Sequence, residues 1–189
     1  MTLTGLALGR MTWTKQVAAV VAGSAFIAIA AQVAVPFFPV PMTLQTLAVL
    51  AVGLAYGSRL GAMTLLAYLA EGAAGLPVFA NAQGTAAFAG PTAGFLVGFV
   101  AMSWIAGLAA GRGVAAMLAA AVAGSAALYA FGLAWPFAVA GAFGIEAGWA
   151  GLSGDALLGA FMTPFLFGDA VKAVVAVMVV SGGVKLLRR

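Results

Sequence analysis

Cysteine and histidine are both missing from the 189 residues. Without cysteine there is no disulfide, no thiolate nucleophile and no cysteine-held zinc or iron–sulfur cluster. Without histidine, His-ligated haem, His-based zinc sites and Ser-His-Asp or Cys-His catalysis are excluded as well. Charge is scarce: eight Lys and Arg and four Asp and Glu make up 6% of the chain, where a soluble domain carries roughly a quarter. So few charges cannot cover a globule of this size with wettable side chains. What is present instead is apolar surface, 65% hydrophobic residues with a mean hydropathy of +1.18. The chain reads as an integral membrane protein. Its net charge of +4 does not indicate nucleic acid, because the basic residues are scattered and no aromatic stacking platform accompanies them.

A membrane-spanning helix needs about 20 mostly apolar residues. Charges, prolines and glycine clusters divide the chain into six such stretches, near residues 16–35, 42–56, 60–75, 92–110, 114–135 and 164–183. The expected fold class is all-α, one domain over residues 1–189 built as a bundle of six transmembrane helices. The first helix is expected to be retained rather than cleaved as a signal peptide, since no convincing small-residue cleavage site follows it. It ends where Pro36, Pro39 and Pro41 cannot continue a helix. Thr163 and Pro164 form the expected N-cap and first position of the sixth. Six spans place both termini on one side. With that side cytoplasmic, Arg10, Lys15, Arg59, Arg112, Lys185, Arg188 and Arg189 all fall inside. The opposite loops hold Glu71, Glu146 and Asp155 but no Lys or Arg. Basic residues concentrate in cytoplasmic loops, so the expected location is a cell membrane with both termini cytoplasmic. The long outer loops, near 76–91 and 136–163, are nearly uncharged and are expected to fold back over the bundle, the first as an ordered lid.

Two ionisable residues remain inside a span. Asp169 and Lys172 lie roughly 8 and 12 Å along the sixth helix, counted from Pro164 at 1.5 Å per residue, and a spacing of three puts them on one face. An intramembrane charge costs about 2.5–3.5 kcal/mol or more and is a functional-site hypothesis by default. Two readings stand: a ligand site, or a self-neutralising pair that pins the helix to polar neighbours. As a site, the carboxylate accepts and the ammonium donates, which suits a small molecule with N–H donors beside a carbonyl or anionic acceptor. Further polar residues in the spans are Gln32, Gln45, Tyr56, Tyr68 and Tyr129. The loop after the third span adds Asn81, Gln83, Thr85 and Thr92, and its glycines permit tight backbone paths. It reads either as a lid over a small-molecule site or as a structural re-entrant loop. Phe79, Phe88, Trp135, Trp149 and Phe165 can line an apolar pocket or anchor helix ends. The first helix carries a small-residue stripe, Ala18, Ala22 and Ala25, of the kind that allows close helix approach in lipid. In a chain this rich in alanine, the stripe alone is weak evidence for a partner.

Gly151-Leu152-Ser153-Gly154 matches the G-x-S-G motif of rhomboid intramembrane proteases, but no histidine is present to act as base. The motif reads as a turn. No phosphate-binding G-x-x-x-x-G-K-[ST] occurs, so any ATP-driven step must be powered by another polypeptide.

The segment Pro39-Val40-Pro41-Met42-Thr43-Leu44-Gln45-Thr46-Leu47 resembles the P-V-P-[MI]-T-L-Q-T-L motif of the BioY family, the biotin-specific S components of energy-coupling factor (ECF) transporters. The resemblance continues through Gly75-Leu76-Pro77-Val78-Phe79 and Gly90-Pro91-Thr92-Ala93-Gly94-Phe95-Leu96. It ends at Pro164-Phe165-Leu166-Phe167-Gly168-Asp169-Ala170-Val171-Lys172, which is similar to the family's F-L-x-G-D-x-x-K. Between the glycine motifs, residues 80–89 are less glycine-rich than in the family. The resemblance implies a non-enzymatic subunit that captures biotin without a cofactor or metal. It implies biotin contacts from Asp169 and Lys172 and, from the loop, Asn81; Gln83, Gln45 and Phe79 join them as candidate contacts on their own polar and aromatic chemistry. The implied partners are a transmembrane T subunit, met by Ala18 and Ala22, and two ATP-binding-cassette ATPases. Other readings are an S component for another vitamin, a proton-coupled transporter acting alone through Asp169, and an intramembrane hydrolase using Ser153 or Asp169.

Overall fold

The computed structural model of the chain describes residues 2–188 and is mostly helical. A short helix α1 (Leu3–Leu8) is capped by Thr2, whose hydroxyl accepts from the Gly5 amide. It is followed by α2 (Trp13–Gln32), α3 (Gln45–Tyr56), α4 (Ser58–Ala73), α5 (Ala93–Leu108) and α6 (Val114–Ala134). A π-helical turn at Trp135–Val139, which contains Pro136, carries α6 on into α7 (Ala140–Ala142). Then come α8 (Gly154–Phe161) and α9 (Thr163–Leu187).

The proline-rich stretch is a short antiparallel ribbon, β1 (Ala34–Val35) against β2 (Met42–Thr43), with Ala34 opposite Thr43. This corrects two expected helix ends. The first span stops at Gln32 rather than near 35, and the next starts at Gln45 rather than 42. Proline cannot donate to a helical ladder, so the residues beside it pair across the ribbon instead. The last helix also differs from expectation. Met162, not Thr163, stands at its N-cap, and no side chain bonds there; Pro164 occupies the first turn. The segment 136–163 holds α7 and α8.

Close packing comes from small residues. A Cβ on Gly53 of α3 would collide with the Ser103 backbone of α5, and one on Gly107 would collide with the start of α4. In an apolar medium such backbone approach supplies the contacts that hold helices together. Three stretches are long and apolar enough to cross a membrane, Trp13–Gln32, Val114–Ala142 and Thr163–Leu187, with shorter apolar helices at Gln45–Tyr56 and Ala93–Leu108. Large apolar side chains face outward along them, among them Ile29, Val122, Met178 and Val179, each about two-thirds exposed. Water would not tolerate such a surface; lipid does.

The two ends of the bundle differ. At one end Thr2, Thr4, Gln16, Tyr56 and Arg59 line a shared hollow, and Gly111, Gly113, Lys185 and Arg188 line another. The start of α1, the α3–α4 and α5–α6 turns and the end of α9 therefore meet there, bringing Arg59, Arg112, Lys185 and Arg188 together; Arg10 and Lys15 lie in the adjoining α1–α2 stretch. Arg189 lies outside the described residues. The opposite end carries the ribbon, the loop between α4 and α5, and α7 with α8.

Candidate functional site

Beneath the ribbon and the α4–α5 loop, a cavity opens among α3, α5, α6 and α9. The chain from Val40 to Thr46 forms one wall, including the side chains of Met42, Thr43 and Gln45. Phe95, Leu96 and Phe99 of α5 and Leu128 and Tyr129 of α6 form the next. Phe165, Asp169 and Lys172 of α9 complete it, and Phe79 and Ala80 close it from the loop. The lining is apolar with a few convergent polar groups, the usual character of a small-molecule site.

Asp169 is buried, and both its carboxylate oxygens are hydrogen-bonded. Its Oδ1 accepts from Lys172 Nζ at 3.0 Å and from Thr46 Oγ1 at 2.8 Å, and its Oδ2 accepts from the Tyr129 hydroxyl at 2.6 Å. The Lys172 pair is the i, i+3 contact expected from spacing on a helix. Thr46 and Tyr129 arrive from α3 and α6, so one carboxylate ties three helices together. A charge taken out of water needs such partners on all sides. Lys172 has two further N–H donors with no protein acceptor among the described residues, and Asp169 Oδ2 keeps a free lone pair. These unspent groups sit at the cavity wall, ready for an acceptor beside a donor on a ligand.

Gln45 is also buried. It accepts from Thr43 Oγ1 and donates from Nε2 to the Tyr68 hydroxyl at 2.9 Å, and Tyr68 in turn donates to the Val78 carbonyl. This relay links the cavity wall to the loop. Phe79 is 1% exposed; its ring stands edge-on to Tyr68 and to Phe88, with centroids 5.1 and 5.4 Å away. Gly72 lies directly under that ring, where any Cβ would collide. The loop begins and ends on short 3₁₀ turns, Ala80–Ala82 and Thr85–Ala89, and Trp135 Nε1 donates to Gly90 O to hold its far end.

The structure thus brings Asp169, Lys172, Gln45 and Phe79 to one cavity. Asn81 and Gln83 are placed elsewhere: both are exposed on the loop's outer side and neither lines the cavity. Ala18 and Ala22 are exposed along α2, while Ala19 and Gly23 face inward. Thr46 stood in the quoted motif and Tyr129 among the polar span residues, but nothing in spacing joined either to Asp169. Glu71, in the last turn of α4, accepts from the hydroxyl of fully buried Ser24. Ser153 stands at the N-cap of α8 and makes no side-chain capping bond.

The family model described as the BioY family matches residues 2–189. A probable biotin transporter BioY from Pyrococcus horikoshii is 36% identical over 166 residues, covering 87% of this chain and 93% of the relative. Biotin transporters BioY from Rhizobium etli and Rhodobacter capsulatus are 37% and 39% identical, each over 75% of this chain, and 76% and 77% of the relatives are covered. Among solved structures, the S-component for biotin from an ECF-type ABC transporter superposes with a TM-score of 0.72. It is 23% identical, with 93% of this chain and 95% of that one covered; the fold is shared. The chain belongs to the BioY family.

Proposed function

We propose that this membrane protein is the biotin-binding S component of an ECF-type transporter. It captures biotin at the outer face and delivers it inward with a T subunit and two ATP-binding-cassette ATPases. It acts by binding and transport rather than by catalysis. The observation that carries this reading is the buried Asp169–Lys172 pair at the wall of an apolar cavity roofed by Phe79. Biotin's ureido group offers two N–H donors and a carbonyl. Asp169 accepts from the first, Lys172 donates to the second, and the ring and aliphatic tail pack against Phe95, Phe99 and Phe165. Gln45 lies close enough to the same cavity to join them. Asn81 and Gln83 serve as contacts from the lid when it seats on ligand.

In this reading α2, α3, α4, α5, α6 and α9 are the six spans. The end that gathers Arg59, Arg112, Lys185 and Arg188 faces the cytoplasm, and both termini lie there. The exposed Ala18 and Ala22 meet the T subunit, where small side chains permit close helix approach.

Equilibrium binding of labelled biotin to the purified chain in detergent tests the assignment. Stoichiometric binding, competed by biotin and not by other vitamins, is the expected result; a folded chain that does not bind biotin overturns it. Ala22→Leu tests the partner face: co-purification with the T subunit falls while biotin binding by the isolated chain is unchanged.

A further inference from the structure

We infer that Gln32 is a positioning residue that latches the α4–α5 loop over the cavity and so sets how long a captured ligand stays. The inference rests on the biotin-binding reading for the identity of that ligand, and on geometry for the latch itself.

Gln32 is the last residue of α2, and all three hydrogen bonds made by its amide bear on the same task. One Nε2 proton goes to the Ala28 carbonyl a turn back on its own helix, at 3.2 Å. The other goes to the Phe79 carbonyl at 3.0 Å, and Oε1 accepts from the Ala82 amide at 3.1 Å. The reverse placement of O and N would set the amide oxygen against two carbonyls, so the network fixes the orientation. The Ala28 bond holds the side chain to the helix, and the other two hold the loop to the side chain.

What the amide grips is a strained segment. Asn81 and Ala82 have φ of 57° and 55°, in the left-handed region. Asparagine enters that region readily, whereas alanine does so at a steric cost. Conformations of this kind persist where the surroundings over-determine them, and they gather at ligand clamps. Inside the loop, Phe79 N donates to Gln83 O at 2.9 Å, closing a tight ring whose open edge is the one Gln32 holds. The residue between helix and ring is Phe79, the side chain that roofs the cavity. Releasing Gln32 frees the strained turn to relax, and the backbone that carries Phe79 moves with it. Asp169 and Lys172, on α9, are untouched by that release.

The test separates rates from equilibrium. In the full chain, Gln32→Leu removes both loop bonds, while Gln32→Glu keeps the acceptor for Ala82 but sets a carboxylate oxygen against the Phe79 carbonyl. Dissociation of labelled biotin, chased with unlabelled biotin, is expected to speed up about tenfold in Gln32→Leu and at least as much in Gln32→Glu. Association should change less than twofold, and the thermal melt of the ligand-free bundle should stay put. Amide hydrogen exchange across residues 79–83, measured without ligand, should quicken in the same order. Unchanged dissociation and unchanged loop exchange overturn the latch, as does a loss of binding that arises from slower association or a lowered melt. If the wild-type chain does not bind biotin at all, the proposed function fails, and loop exchange still decides whether Gln32 holds the turn.

Discussion

The cavity is bounded by two regions built on different principles. On the helix side, Asp169, Lys172, Thr46 and Tyr129 meet side chain to side chain, with a buried charge at the centre. On the loop side, Gln32, Tyr68 and Trp135 grip backbone carbonyls and an amide, and the largest buried side chain of the loop itself is the apolar ring of Phe79. Breaking the first region strands a charge in a low-dielectric setting, which costs several kcal/mol. Breaking the second exposes backbone groups to water at the membrane surface, where new partners are at hand and the net loss is near 1 kcal/mol per bond. On the proposed reading the difference divides the labour: the helix side sets affinity, and the loop side sets access and residence.

The largest effects should therefore come from the ion pair. Asp169→Asn and Lys172→Ala each leave the other charge without its partner, so biotin affinity should fall at least a hundredfold, read by titration calorimetry. If either variant bound as the wild type does, the helix side would be a structural pin and not the site. Next comes Phe79→Ala. Emptying the space between Gly72, Tyr68 and Phe88 should lower stability by about 3 kcal/mol, seen as an earlier thermal melt, and should speed biotin release. A release rate that held steady would detach the roof from residence.

The hydroxyls that steady Asp169 rank third. A hydrogen bond to a charged group contributes about 1.5–3 kcal/mol, so Thr46→Val and Tyr129→Phe should each weaken biotin binding by roughly ten- to a hundredfold. Thr46→Ser, which keeps the hydroxyl, should bind nearly as the wild type does. Equal losses in the valine and serine variants would assign the effect to packing instead. The smallest change should be Gln83→Ala, because Gln83 is exposed on the outer side of the loop. A loss of about threefold is expected, from the single contact this side chain makes when the lid seats on ligand, and binding equal to the wild type would remove Gln83 from the site.

Much of this comparison was legible before any coordinates. The spacing of Asp169 and Lys172 already placed them on one helix face, and it did so because both lie on a single regular element. The proline cluster announced a break, though not that Ala34 and Val35 would leave the helix to pair with Thr43 and Met42. The loop motifs allowed either a lid or a re-entrant loop, and the side that Asn81 and Gln83 would present depended on the left-handed turn at residues 81 and 82. That turn is set by contacts from α2, fifty residues away.

The sequence by itself determined the solvent this protein lives in, the approximate helices, the end on which cations gather and the charged pair that now lines the cavity. Each of these follows from composition or from neighbours along one chain segment. Tertiary structure alone decided which faces meet. Thr46 reaches Asp169 across 123 positions and Tyr129 reaches it across 40, while Glu71 turns to Ser24 and Gln32 to the lid. The physical reason lies in the solvent. A helix in water shows its inner face by an apolar stripe, but helices bound for lipid are apolar all round, so periodicity carries no pointer to the interior. Only packing, through small residues and the few polar groups that must be paired, sets the facing.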